Sequence, residues 1–208
     1  MKCYIFCSSS DYDIEFLSGI DFSDSYIICA DGGYGLAKKL GLKPDLWVGD
    51  MDSYTSEILC KQKIFFPADK DLTDSHIAVK EAIKRGFSEI ILLGATGGRL
   101  DHEYANYCLL KYILENGAFG TILDKNNRVF MTDKSINVFS EGKKYISFFP
   151  FGGDIYDFSV KNVKYNLEKY HLTNSLTFTV SNEFIKGKQA KIEFSDGCLL
   201  IICSNDLK

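Results

Sequence analysis

The sequence lacks the features of several large protein classes. Its 208 residues include only three histidines, and none of the seven cysteines belongs to a Cys-x-x-Cys pair, which argues against a zinc site or a disulfide framework. No apolar run reaches roughly 18 residues, and no basic segment followed by an apolar one begins the chain, so neither a membrane span nor a secretory signal is predicted. We expect a protein of the reducing cytoplasm that does not contact a membrane.

The sequence also lacks an excess of positive charge. The net charge is −4, and the basic clusters are isolated pairs such as Lys38-Lys39 and Lys143-Lys144. A protein that binds a nucleic-acid backbone usually carries a basic stripe, so we expect no nucleic-acid partner. A small phosphorylated ligand remains compatible with this charge if metal ions mediate its contacts with acidic side chains.

The first 125 residues alternate between strand-like and helix-like segments. Apolar runs that end in turn residues predict strands, and amphipathic segments predict helices. This alternation is typical of a parallel α/β sheet. The predicted strands are Lys2–Cys7, Tyr26–Ala30, Asp45–Val48, Ile64–Phe66, Ile90–Leu93 and Gly120–Leu123, and the predicted helices are Gly35–Leu40, Thr73–Arg85 and Asp101–Leu114.

Beyond residue 125 the chain consists of short strand-like runs, many of them separated by turn signals. No amphipathic helix of any length appears, which is typical of a β-sandwich. We therefore predict a parallel-sheet α/β N-terminal domain at residues 1–125, followed by an all-β sandwich C-terminal domain at residues 126–208. The predicted strands of the second domain are Val129–Thr132, Ser135–Phe139, Tyr145–Pro150, Asp157–Val163, Ser175–Val180, Lys188–Phe194 and Cys198–Cys203.

Neither the Gly-x-x-x-x-Gly-Lys-Ser/Thr phosphate loop nor the Gly-x-Gly-x-x-Gly dinucleotide fingerprint occurs. Instead, four segments with acidic residues each follow a strand-like run. Ligands of an open parallel sheet bind outside the carboxyl ends of its strands, so we expect these segments to converge on one cleft. They are Asp31-Gly32-Gly33, Pro44–Ser53, Asp69–Asp74 and Gly94–His102.

The aspartates of these segments predict a magnesium site. Asp50 and Asp52 share a face of an extended chain, and Asp71 and Asp74 stand three apart at a predicted helix start, where Thr73 or Asp71 is the candidate N-cap. Two like charges about 4 Å apart repel by about 4 kcal/mol at an effective dielectric constant of about 20. Mg²⁺ offsets such repulsion, and it binds a few carboxylates together with water and substrate phosphates.

Basic side chains and glycines in the same segments are suited to binding the phosphates of a ligand. Gly97-Gly98 allows backbone N–H groups to approach a phosphate, the Arg99 guanidinium suits phosphate oxygens, and Lys70 adds a further positive charge. Any one of these residues, or of the aspartates, is typical of an ordinary turn or cap. The functional interpretation depends on four such segments, each placed after a strand.

Together these segments resemble the thiamine pyrophosphokinase family. The family's Gly-Asp-x-Asp-Ser segment corresponds to Gly49–Ser53, its Asp-x-Thr-Asp segment to Asp71–Asp74, and its Gly-Gly-Arg-x-Asp-His segment to Gly97–His102. A Ser-Asn segment in the family's β domain corresponds to Ser181-Asn182. The resemblance thus spans nearly the whole chain. One departure is that Cys198–Leu200 occupies the region where some members carry a tryptophan against the thiamine pyrimidine.

The resemblance implies an enzyme that uses Mg²⁺ to transfer pyrophosphate from ATP to the hydroxyl of thiamine, giving thiamine diphosphate and AMP. It further implies a homodimer with thiamine held between subunits, and it leaves open whether Asp71 or Asp101 accepts the hydroxyl proton. The implied site residues are Asp50, Asp52 and Asp74 for Mg²⁺; Asp31, Gly32, Lys70, Thr73, Gly97, Gly98 and Arg99 for ATP and pyrophosphate; Asp71, Asp101 and Arg99 for catalysis; and Ser181 and Asn182 for thiamine.

Two alternative functions stay open from the sequence. The first is a pyrophosphokinase that keeps the same cleft and acts on another alcohol, such as a hydroxymethylpterin. The second is a nucleotide- or metabolite-sensing protein without turnover. The complete set of acidic segments argues against a sensor, because a protein that only binds has little need of so many carboxylates around a metal. Release of AMP in the presence of an acceptor alcohol would separate enzyme from sensor.

Overall fold

The computed structural model describes residues 1–9, 12–50, 57–67 and 71–206. The chain divides into two compact units, Met1–Lys125 and Asn126–Lys208. No helix within the described ranges is long and apolar enough to cross a membrane.

The first unit is built on a parallel sheet. Its strands are β1 (Cys3–Phe6), β2 (Tyr26–Ala30), β3 (Leu46–Gly49), β4 (Gln62–Phe65), β5 (Glu89–Leu93) and β6 (Phe119–Leu123), and its helices are α1 (Ile14–Ser18), α2 (Gly33–Lys39), α3 (Asp74–Lys84) and α4 (Leu100–Glu115). The strand order is β6-β5-β1-β2-β3-β4, with parallel pairing between neighbours. The chain therefore builds the sheet from β1 toward one edge and then returns to the other side of β1 with β5. Ligands of open α/β sheets bind at the carboxyl ends of strands at such a reversal.

Successive side chains of each strand point to opposite faces of the sheet, and helices cover both faces. Tyr4 and Phe6 of β1 share a core with Leu17 of α1 and Leu36 of α2. Helix α3 contacts β1, β2 and β3, and it also packs against α4. Because both faces are covered, the central strands are mostly apolar, as the run Ile90–Leu93 of β5 predicts.

The second unit is a sandwich of two antiparallel sheets. Its strands are β7 (Asn127–Thr132), β8 (Ile136–Val138), β9 (Tyr145–Pro150), β10 (Ile155–Lys161), β11 (Leu167–Leu172), β12 (Asn182–Glu183), β13 (Ala190–Glu193) and β14 (Leu199–Ser204). One sheet has the order β12-β9-β14-β7 and the other β11-β10-β13-β8. Phe148 of the first sheet meets Phe158 of the second with ring centroids 5.2 Å apart inside a common apolar core. The predicted fold class is thereby confirmed.

Several local expectations differ from the structure. The predicted strand Ser175–Val180 is wrong: this segment forms turns, because Thr179 Oγ1 donates a hydrogen bond to the Phe148 carbonyl and Val180 N–H donates to the Thr177 carbonyl. Strand β11 was missing from the prediction, since most of its residues are exposed and carry no apolar alternation. Helix α1 was missing too, because it spans only five residues.

Candidate active site

A cavity of about 650 Å³ lies at the carboxyl ends of β1, β2 and β5 and at the starts of α3 and α4. Its wall includes Cys7–Ser9, Ala30-Asp31, Thr73–Ser75 and Gly97–Arg99. Gly94 and Ala95 after β5, and His102, Glu103 and Asn106 of α4, also line it. Three of the four segments singled out from the sequence thus reach one cavity, although up to 68 residues separate Asp31 from Arg99 in the chain.

Asp31 is held in place by the backbone around it. It is only 5% exposed and has a positive φ of 43° directly after β2. Its N–H donates to the Val48 carbonyl at 2.7 Å, and its own carbonyl accepts from Trp47 Nε1 at 3.1 Å. A Cβ atom at Gly49 would lie 2.6 Å from the Trp47 ring and 3.1 Å from Asp31 Oδ1, so glycine is needed there. These contacts fix the Asp31 backbone relative to β3.

Gly33 brings α2 close to the end of β1. A Cβ atom at Gly33 would lie 2.0 Å from the Phe6 carbonyl oxygen, far inside van der Waals contact. Glycine therefore permits an approach of backbone to backbone that no other residue allows. Its neighbour Gly32 is the N-cap of α2 and is not part of the cavity lining.

The start of α3 brings a carboxylate and a hydroxyl to the cavity. Thr73 is the N-cap, and its Oγ1 accepts a hydrogen bond from His76 N–H at 3.2 Å. Asp74 is the first helical residue, where the helix dipole favours a negative side chain. Ser75 Oγ donates to Cys7 Sγ at 3.4 Å, and burial raises the pKa of the Cys7 thiol to about 11. Cys7 is thus a protonated wall residue at neutral pH and not a nucleophile.

The loop before α4 carries two successive glycines in the left-handed region, Gly97 at φ 77° and Gly98 at φ 88°. Ser9 Oγ donates to the Thr96 carbonyl at 2.7 Å, which ties this loop to the end of β1. Gly97 N–H donates to Glu103 Oε2 at 3.0 Å. One of the backbone N–H groups predicted to approach phosphate therefore already has an acceptor within the protein.

Arg99 and Asp101 form a forked pair at the mouth of the cavity. Arg99 Nε donates to Asp101 Oδ1 at 3.1 Å and Nη2 donates to Oδ2 at 2.5 Å. These hydrogen bonds lower the pKa of Asp101 and raise that of Arg99. Arg99 lines the cavity, whereas Asp101 is exposed and does not.

Comparisons with known proteins agree on the family. The model described as "Thiamin pyrophosphokinase, catalytic domain" matches residues 22–118, and "Thiamin pyrophosphokinase, vitamin B1 binding domain" matches residues 133–199. Thiamine pyrophosphokinase of Bacillus subtilis (strain 168) is 31% identical over 198 residues, which cover 91% of this chain and 92% of the relative. The chain belongs to the thiamine pyrophosphokinase family.

Solved structures with the thiamine pyrophosphokinase name also share the fold. A crystal structure of the Bacillus subtilis protein superposes with a TM-score of 0.88 at 28% identity and full coverage of both chains. One from Geobacillus thermodenitrificans gives 0.84 at 27% identity, covering 99% of this chain and 98% of its own. The likeness therefore extends over both units.

The predicted site residues of this family member fall into four groups. The cavity wall includes Asp31, Thr73, Asp74, Gly97, Gly98 and Arg99. Gly32, Asp71 and Asp101 lie near wall residues in the sequence but outside the wall, and Asp50, which follows β3, is also outside it. Asp52 and Lys70 lie outside the described residues, and Ser181 and Asn182 belong to the second unit.

The two residues that match the family's Ser-Asn segment lie in different environments. Ser181 is exposed, and its N–H donates to Ser147 Oγ at 2.9 Å. Asn182 is 6% exposed, with Oδ1 accepting from Tyr165 N–H at 3.0 Å and Nδ2 donating to the Tyr165 carbonyl at 2.8 Å. The Asn182 amide thus fixes the segment around Tyr165.

The carboxylates of the cavity suit a magnesium ion shared with a phosphorylated ligand. Among the described ranges, no group of three or more Asp, Glu, His or Cys side chains is arranged to hold a metal ion. Asp74, one of the predicted Mg²⁺ ligands, nevertheless lines the cavity. Mg²⁺ commonly binds one or two carboxylates together with water and phosphate oxygens. A carboxylate on an open cavity therefore suits Mg²⁺ better than it suits a metal whose ligands all come from the protein.

Sequence reasoning missed Glu103 and Asn106, both on the cavity side of α4. Asn106 Nδ2 donates to the Ala95 carbonyl at 2.8 Å, and Glu103 accepts from Gly97 as described above. A signal for Glu103 was present, since it is an acidic residue in the first turn of a helix whose N-cap, Arg99, offers no acceptor side chain.

Proposed function

We propose that the chain is a magnesium-dependent enzyme that transfers the pyrophosphoryl group of ATP to the hydroxyl of thiamine, with AMP as the second product. The observation that carries this proposal is the single cavity that gathers Asp31, Asp74 and Arg99 from three distant segments of a thiamine pyrophosphokinase family member. Phosphoryl-type transfer depends mainly on positioning and charge neutralisation, and acidic and cationic side chains beside one cavity supply both.

In this proposal Asp74 holds Mg²⁺ together with Asp50 and Asp52. When bound, the ion neutralises charge on the phosphate oxygens of ATP. Asp31, Thr73, Gly97 and Gly98 then form the wall around the nucleotide and its phosphates, and Gly32 and Lys70 are further proposed ligands of ATP. Arg99 stabilises negative charge that develops during transfer, since a guanidinium suits phosphate oxygens.

The forked pair favours Asp71 over Asp101 as the acceptor of the thiamine proton. Asp101 is engaged by Arg99, and this lowers the pKa of its carboxyl group. A carboxylate with a lowered pKa accepts a proton less readily. We therefore assign Asp101 to orienting Arg99, and Asp71 to proton transfer.

The second unit is the proposed thiamine-binding part, and the first unit the ATP-binding part. We further propose a homodimer in which thiamine lies between subunits, with Ser181 as its polar contact and Asn182 as support for that segment. The seven free cysteines favour a reducing compartment, and we propose the cytoplasm. Light scattering of the purified protein would test the dimer.

The decisive experiment measures AMP released from ATP and Mg²⁺ with thiamine, with a hydroxymethylpterin, and with no acceptor. We expect AMP only with thiamine, in equal amount to thiamine diphosphate. Turnover with the pterin alone would overturn the acceptor, and no AMP with either alcohol would favour the sensor. The relatives found lend no support to these two alternatives.

A further inference from the structure

Glu103 connects the Gly97-Gly98-Arg99 loop to the body of α4 through hydrogen bonds. Its Oε2 accepts from Gly97 N–H at 3.0 Å, and its Oε1 accepts from the Tyr107 hydroxyl at 2.5 Å. Tyr107 lies one helical turn after Glu103 and is not part of the cavity lining. The carboxylate is therefore oriented from one side by the helix and binds the loop on its other side.

The loop needs such an acceptor to keep one conformation. Gly97 and Gly98 both have positive φ, and successive glycines leave the backbone many alternative conformations. Arg99, the N-cap of α4, makes no capping hydrogen bond with its side chain. Glu103, in the first turn of the helix where a negative charge is favoured, supplies an acceptor to the loop instead, through Gly97 N–H two residues before the N-cap.

Tyr107 is a dependable donor in this arrangement. Burial, and next the hydrogen bond to Glu103, raises the pKa of the Tyr107 hydroxyl well above its ordinary value. The phenol therefore stays protonated over the working range of the protein. A donor that keeps its proton holds the carboxylate in one rotamer, and this in turn fixes where Gly97 lies.

We infer that Glu103, held by Tyr107, is a positioning residue that sets the conformation of the Gly97-Gly98-Arg99 loop for binding the phosphates of ATP. This inference rests on the proposed function for its ligand. Gly97 N–H is occupied by Glu103, so the phosphate contacts of the loop fall to Gly98 and Arg99, which both line the cavity. Glu103 acts through hydrogen bonds, and a neutral side chain of the same shape can replace it.

The test compares Glu103→Ala, Glu103→Gln and Tyr107→Phe in the full chain. A glutamine keeps both contacts, since its oxygen accepts from Gly97 N–H and its amide donates to the Tyr107 oxygen. Calorimetry gives the dissociation constant of Mg²⁺–ATP, and the AMP assay gives kcat, KM for ATP and the Mg²⁺ concentration for half-maximal rate. Tyr104→Phe and Glu115→Gln, both exposed residues of α4, are the matched controls. The melting temperature of each variant monitors folding.

We expect Glu103→Ala to weaken Mg²⁺–ATP binding about 10- to 100-fold, as a displaced binding group does. Tyr107→Phe should weaken it about 3- to 10-fold, the value of one hydrogen bond. Glu103→Gln should recover most of the loss, with an unchanged Mg²⁺ requirement. Both control variants should bind as the wild type does.

Three results would overturn the inference. If Glu103→Gln binds as weakly as Glu103→Ala, or if it needs more Mg²⁺, the charge matters and not the hydrogen bonds. Normal binding by Glu103→Ala would also refute it. A wild-type protein that binds Mg²⁺–ATP but gives no AMP with thiamine would overturn the proposed function alone, because the binding series still decides the role of Glu103. Absence of Mg²⁺–ATP binding by the wild type would overturn both.

Discussion

The two units use polar side chains near their strand ends in different ways. In residues 1–125, Asp31 and Asp74 lie at the wall of an open cavity. In residues 126–208, the Asn182 amide is bound to the backbone of Tyr165, and the Thr179 hydroxyl to the Phe148 carbonyl. The first unit directs polar groups toward a ligand-sized space, and the second uses them to close turns. The family's sequence motifs therefore identify the segments that carry Asp74 and Asn182. The contacts of each side chain in the structure then decide whether it faces the cavity or stabilises a turn.

The largest expected effect comes from the cavity of the first unit. Asp74→Asn removes a carboxylate that we propose as a Mg²⁺ ligand, so kcat/KM should fall about 10³-fold, beyond the 10- to 100-fold that outer-shell changes cost. Steady-state AMP release measures it. Asp133→Asn, on an exposed turn of the second unit, is the matched control and should keep full activity. An active Asp74→Asn enzyme would contradict the proposed role.

The next effect concerns stability of the first unit. Gly33→Ala places a methyl group against the Phe6 carbonyl, so α2 must shift, and the free energy of unfolding should fall by about 3 kcal/mol. Urea unfolding measures it. Gly153→Ala in the second unit is the control, because a Cβ atom there meets nothing within 4 Å and φ is not positive. Equal stability of the two variants would show that α2 can move away from β1 at little cost.

The third prediction compares two neighbouring residues of the second unit, buried Asn182 and exposed Ser181. Asn182→Ala leaves the Tyr165 N–H and carbonyl without their partner, which should cost about 2 kcal/mol of unfolding free energy. Ser181→Ala, at the exposed neighbour, should leave stability within about 0.5 kcal/mol of the wild type. If Asn182→Ala changed only the KM for thiamine and left stability intact, Asn182 would be a ligand contact and not a structural residue.

The smallest expected effect is a pH dependence at Asp101. The pKa of this carboxyl group is lowered in the folded state, mainly by the hydrogen bonds from Arg99. Its contribution to stability is therefore present above the ordinary aspartate pKa of about 3.9 and is lost as the pH falls through the folded value. The urea midpoints of wild type and Asp101→Asn should differ slightly at neutral pH and converge in acid. Divergence on acidification would contradict the pairing.

Much of the fold of the first unit was predictable because its central strands are buried on both faces. Ile90–Leu93 is apolar throughout, and such a run has few alternatives in an α/β chain. The second unit was less predictable at its edges. Among the described strands, β11 pairs only with β10, and most of its side chains are exposed, so tertiary pairing and not local sequence defines it.

The convergence of the acidic segments was also predictable, because parallel strands end at one edge of a sheet. The hydrogen-bond partner of each side chain in these segments was not predictable. Glu103 and Gly97 are close in sequence, yet their hydrogen bond depends on two left-handed residues that composition alone does not specify. The forked pair of Arg99 and Asp101 depends likewise on side-chain rotamers.

The position of Trp47 makes the molecule its own spectroscopic probe. This residue is the only tryptophan of the chain, it is fully buried, and its indole N–H donates to the carbonyl of Asp31 at the cavity wall. Emission on selective excitation near the red edge of protein absorbance therefore arises from a single indole whose hydrogen bond ends at the proposed nucleotide site. Any ligand that shifts the Asp31 backbone should change the wavelength or intensity of that emission, so binding can be followed without a label.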